Sequence, residues 1–130
     1  MLHTGQAMPA IELKAVREWL GVSGDWLAER LGVIPRTVRN WEQGKYPIPD
    51  GVRLEVEALQ ALTSQVVTAN IAALMDKPEP AIATYRTDEE YWSTLDDGSP
   101  RWPASWHRRV VMRIAQEVPG LVVVEGAPAE

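Results

Sequence analysis

Cysteine is absent from all 130 residues. That excludes a disulfide scaffold, a thiolate zinc site and a cysteine nucleophile. Histidine is scarce, and neither His3 nor His107 has a second histidine or a carboxylate at ligand spacing, so no metal site is expected. No apolar run approaches the length of a membrane-spanning helix. The opening MLHTGQAMPAIELK lacks the charged leader and apolar stretch of a signal peptide. Neither a nucleophile–base pair nor a phosphate-binding glycine loop occurs, and Asp96 and Asp97 before Gly98 read as turn chemistry. Catalysis, a cofactor and membrane insertion are therefore not expected, and the composition suits the cytoplasm.

A positive charge balance is missing as well. Lysine and arginine number 13 against 18 acids, giving a net charge of −5. Distribution is more informative than the sum. Over residues 1–50, Lys14, Arg17, Arg30, Arg36, Arg39 and Lys45 balance Glu12, Glu18, Asp25, Glu29, Glu42 and Asp50, so the excess acid lies beyond residue 50. From Ile34 to Tyr46, Arg36, Arg39 and Lys45 stand against Glu42 alone. Apolar residues at 45% are enough for a core, and the length suits one domain or a small domain with an appended module.

Punctuation divides the chain. Pro9 suits a helix start, followed by Leu13, Val16 and Leu20 at helical spacing and a stop near Gly21. Ser23 is a good N-cap, Asp25 favours the positive end of the helix dipole, and the second helix turns Leu27, Ala28 and Leu31 inward before Gly32. Pro35 opens a third helix that ends at Gly44. KYPIPD follows, and its Asp50 is expected to cap a long fourth helix carrying Val52, Val56, Leu59, Leu62 and Val66 towards Met75. DKPEP reads as a linker, so a helical domain over 1–76 precedes a module over 77–130. In the module, AIATYR reads as a strand, TDEEYWSTL as a capped helix, ASWHRRVVMRIAQEV as a helix and LVVVE as a strand. The fold class is mainly α, with a small C-terminal β-α-α-β unit. A unit so small exposes its strand edges, which a second copy would cover. Ile82, Tyr85, Trp92, Trp106, Val110, Val122 and Val124 are the candidate interface. Trp19, Trp26 and Trp41 are expected in the core, and Trp92, Trp102 and Trp106 in the dimer core or interface.

The third helix carries the chemistry. Ala28, Gly32, Val38 and Trp41 stand where two crossing helices joined by a tight turn need a small residue, a glycine and a buried stripe. Arg36, Arg39, Asn40 and Gln43 recur on the opposite side. Such a pattern is often only a solvated face. The agreement of all four buried positions favours DNA instead. Arginine can bond guanine O6 and N7, and asparagine adenine N6 and N7, so Arg36, Arg39 and Asn40 are the candidate base readers. Ser23, Thr37, Gln43, Lys45 and Tyr46 are candidate phosphate contacts.

The run LAERLGVIPRTVRNWEQGKYPIP resembles the Xre/Cro/C1-type helix-turn-helix family of bacterial and phage repressors, over residues 10–62. The resemblance implies a lambda-repressor-like, five-helix-type N-terminal domain and an ion pair between Arg17 and Glu42. WEQGKYPIPD, the long fourth helix and the α/β module are similar to the narrower group of anti-CRISPR-associated autorepressors and YdiL-like proteins. There are departures. Gly24 stands where the family often has a phosphate-binding glutamine, leaving Ser23 or a backbone N–H to serve. Ile34 stands where a Ser or Thr cap is usual, and Pro35 replaces a residue with which some relatives read a base.

The expected function is that of a homodimeric, sequence-specific repressor that binds a palindromic double-stranded operator, which the resemblance implies is at the promoter of its own operon. Two other readings remain. One is an antitoxin whose C-terminal module binds a toxin. The other is an RNA-binding translational repressor using the same helix or the surface of Arg108, Arg109 and Arg113. A structural role for those three arginines is favoured, because the module around them is acidic.

Overall fold

The structure, a computed structural model, describes residues 7–96, 98 and 101–126. Readings made on residues 1–6 (His3 among them), Asp97 and residues 127–130 lie outside these. The elements are α1 (Ala10–Leu20), α2 (Gly24–Leu31), α3 (Pro35–Glu42), α4 (Asp50–Leu74), β1 (Ala81–Thr84), α5 (Asp88–Trp92), α6 (Ala104–Glu117) and β2 (Val122–Glu125). The protein is mainly helical with one two-stranded sheet. Among the described residues four helices precede β1, where a five-helix-type domain would have five. The reason is local: α4 meets no glycine or proline after Gly51 and runs on for 25 residues. Among the described residues no helix is long and apolar enough to cross a membrane.

The chain divides into two compact units, Met1–Ala61 and Leu62–Glu130. In the first, short helices follow one another because each start and stop is encoded locally. Pro9 sits one residue earlier than a first helical position and is the N-cap of α1, its carbonyl accepting from the N–H groups of Glu12 at 3.0 Å and Leu13 at 3.3 Å. The Ser23 hydroxyl accepts from the Trp26 N–H at 3.0 Å and caps α2. Gly32 ends α2 at φ 73°, a left-handed conformation that costs a residue with a Cβ, while Val33 N–H reaches back to the Ala28 carbonyl at 2.9 Å. Leu13, Leu20, Leu27, Ala28, Val38, Trp41, Ile48, Val56 and Leu59 are buried. Trp19 departs from expectation at 42% exposed. It is one step, about 100° of helix, from the buried Leu20 and so leaves the stripe set by Leu13 and Leu20.

The second unit gathers the later half of α4, where Thr63, Val67 and Leu74 are buried, with β1, α5, α6 and β2. β1 and β2 pair in parallel, Ala81 opposite Val122 through Thr84 opposite Glu125. Parallel strands require a crossover, which α5 and α6 supply. Thr87 caps α5 by accepting the Glu90 N–H at 3.1 Å while donating to the Glu90 carboxylate at 2.9 Å. The Asp88 carboxylate accepts the first N–H of α6, from Ala104, at 2.8 Å. Trp102 and Trp106 stack with centroids 4.3 Å apart, at 5% and 4% exposure.

The buried Trp106 indole N–H donates to the Thr63 hydroxyl at 3.0 Å, across 43 residues of sequence. Thr63→Val keeps the shape but removes the acceptor. It should cost about 1–3 kcal/mol, the range for a buried donor left unsatisfied. Denaturant unfolding checks this, and an unchanged midpoint would mean that the indole finds another acceptor.

Candidate nucleic-acid interface

Helix α3 is amphipathic by construction. Val38 and Trp41 are 1% and 6% exposed, whereas Arg36, Arg39, Gln43, Lys45 and Tyr46 are exposed and Thr37 and Asn40 are half-buried. The three side chains expected to read bases therefore share the outward side with Gln43. Its C-terminal end is closed by backbone alone: Lys45 N–H reaches the Asn40 carbonyl at 2.9 Å and Gly44 takes φ 77°. Lys45 and Tyr46 follow directly and extend the exposed donors past the helix.

The N-terminal end, like those of α1 and α6, has no side-chain cap. Ile34 occupies the N-cap position with no side-chain cap, and its carbonyl accepts the Thr37 N–H at 2.9 Å. Pro35 at the first helical position removes one N–H that would otherwise need an acceptor. Ile34 itself is 62% exposed. From the sequence it is legible only as a missing cap.

What fixes α3 in place is the pair between Arg17 of α1 and Glu42. The guanidinium Nε donates to Oε2 at 2.6 Å and Nη2 to Oε1 at 3.0 Å, a two-pronged arrangement, while Nη1 donates to the Val22 carbonyl at 3.2 Å. Both side chains are largely shielded, at 18% and 10% exposure. The hydrogen bond to Glu42 raises the Arg17 pKa above its ordinary value, outweighing the opposing effect of burial. Arg17 and Glu42 thus serve packing, and Glu42 leaves the cations of α3 unneutralised. Ser23 is committed to capping α2 through its oxygen.

In the second unit, Ile82, Tyr85 and Trp92 are half-buried. Val122, Val123 and Val124 are 55%, 39% and 45% exposed. Trp106 and Val110 sit inside their own chain at 4% and 2%. Arg108 turns back onto its own chain, donating to the Tyr85 carbonyl at 2.6 Å and the Arg86 carbonyl at 3.0 Å. Arg86 and Glu125 pair across the ends of the two strands at 2.7 Å. His107 lies 2.8 Å from the Thr84 hydroxyl through Nδ1, and burial, then the charge of Arg108, holds its pKa below the usual histidine value. Among the described residues no three His, Cys, Asp or Glu side chains are grouped to hold a metal ion.

The Aca2/YdiL-like family profile matches residues 8–116. The chain is also similar to the Aca2 repressor of Pectobacterium phage ZF40, with 28% identity over 116 residues, covering 88% of this chain and 92% of that protein.

Proposed function

This chain belongs to the Aca2/YdiL-like family, and on that premise we propose that it is a sequence-specific DNA-binding transcriptional repressor. In this reading α2 and α3 form a helix-turn-helix of the Xre/Cro type, and α3 enters the major groove. The observation that carries it is the two-sided α3. Val38, Trp41 and the Arg17–Glu42 pair hold one side, while Arg36, Arg39 and Asn40 are presented on the other. Arginine and asparagine are the side chains that bond purine edges in two places at once. Thr37, Gln43, Lys45 and Tyr46 serve the phosphates, and Ser23 acts there only through whatever capacity its capping bond leaves. The relative in phage ZF40 is named a repressor, which supports repression, here by occlusion of a promoter, with the chain's own operon as the natural target.

The working form in this reading is a homodimer in the cytoplasm, with residues 1–76 addressing DNA and 77–130 holding two copies together. A parallel pair of strands is ordinarily covered on both faces, and β2 carries exposed valines along its length. A second copy seated there would bury Val122, Val123 and Val124, with Ile82, Tyr85 and Trp92 at the margin. Trp106 and Val110 then support the interface from beneath.

Two-fold symmetry fixes the expected operator. Footprinting should reveal an inverted repeat whose half-site centres lie about 10–10.5 bp apart or a multiple of that. A single asymmetric site, or direct repeats, would overturn the dimeric reading.

A further inference from the structure

Singly exposed apolar side chains are ordinary on protein surfaces, and Ile11 at 72% and Leu54 at 60% need no further account. Ile34, at 62%, differs because of what its backbone position requires. With φ −84° and ψ 155° it is the N-cap of α3, where Ser, Thr, Asp or Asn would accept a first-turn N–H. This chain uses that device at Ser23 before α2 and at Thr87 before α5, while α1 and α6 begin on Pro9 and Pro103 without it. At Ile34 it forgoes the cap and gains no burial in return. Isoleucine there serves neither the helix nor the core.

Its neighbours point to what it does serve. Pro35 and Arg36 follow it in sequence, both exposed, so an exposed apolar side chain precedes the first candidate base reader by two residues. In a helix-turn-helix the N-terminal residues of the second helix approach base edges. The major-groove edges are hydrogen-bonding atoms apart from the C5-methyl group of thymine. We propose that Ile34 is a specificity-determining residue that packs on the C5-methyl of a thymine in each half-site, beside the base read by Arg36. This rests on the DNA-binding reading given above. An apolar side chain of this size covers a methyl that a serine or threonine cap would cover less fully, and the aliphatic stem of Arg36 is suited to line the same contact.

Uracil is thymine without that methyl, so it isolates the contact. The intact protein and two variants, Ile34→Ala and Ile34→Ser, are titrated against operators in which each thymine is replaced singly by uracil. For the parent, one position per half-site should lose about fourfold in affinity, the equivalent of one buried methyl group at ~0.8 kcal/mol. Both variants should bind the thymine operator less tightly and be indifferent to uracil at that position. Ile34→Ser should also melt higher than the parent, because the cap is restored. Equal uracil sensitivity in parent and Ile34→Ala would overturn the proposal, as would a parent indifferent to uracil everywhere. If the parent selects no DNA sequence at all, the DNA-binding reading itself has failed, an outcome plainly separate from the other two.

Discussion

Replacing Trp41 by alanine should destabilise the protein by about 3–5 kcal/mol, the usual range for truncating a buried tryptophan. Trp41 is 6% exposed and sits on the inward side of α3 with Val38. Removing the indole would leave a void that eight residues of helix, closed at its start by no side-chain cap, are poorly able to fill. Total stability for a small domain is of the order of 5–15 kcal/mol, so the loss would consume much of it. Arg39, two residues earlier on the outward side of α3 and exposed, gives the contrast. Arg39→Ala should leave the unfolding free energy within about 0.5 kcal/mol of the parent, as surface substitutions generally do. Chemical denaturation of both variants tests the assignment of inside and outside on α3. A Trp41→Ala variant as stable as the parent would mean that α3 is held by something other than its apolar stripe.

Local signals made the first unit legible. Gly21, Gly32 and Gly44 all take positive φ where the sequence marks a stop, and Ser23 and Thr87 cap the helices they precede. Such features act within a few residues of chain, so they can be read without knowing the fold. Periodicity did the same for α3, because Val38 and Trp41 against Arg36, Arg39 and Asn40 already define two sides. What stayed hidden depends on distant partners. The parallel register of Ala81 with Val122, and the bond from Trp106 to Thr63 across 43 residues, follow from packing that no local pattern contains. Likewise, Trp106 and Val110 are apolar residues at helical spacing, and only the fold places them inside their own chain instead of on its surface. Arg108 is similar: the acidic surroundings favour a structural role for the three arginines, but no local pattern names the carbonyls of Tyr85 and Arg86 that occupy one of them. Ile34 was visible as an anomaly, a β-branched residue in a capping position, but its exposure was not.

Arg36 and Asn40 should separate from Lys45 in the way that reading separates from anchoring. Arg36 and Asn40 lie one turn apart on the outward side of α3, while Lys45 lies beyond its end. Arg36→Ala or Asn40→Ala should cost about 1–3 kcal/mol per half-site, hence up to twice that for a symmetric dimer, and should relax preference at one base pair in each half. Arg39 shares the outward side and should show a smaller loss of discrimination if it leans towards the backbone. Lys45→Ala should weaken all sequences alike and flatten the dependence on salt, because a phosphate contact releases counterions without distinguishing bases. Glu42 does not blunt these cations, since Arg17 holds both its oxygens. The measurement is a titration of each variant against the operator and its single-base variants at two salt concentrations. If Asn40→Ala keeps full discrimination while Lys45→Ala loses it, the two roles are reversed. If none of the substitutions alters binding, α3 is a solvated face, and whatever this protein recognises is recognised elsewhere.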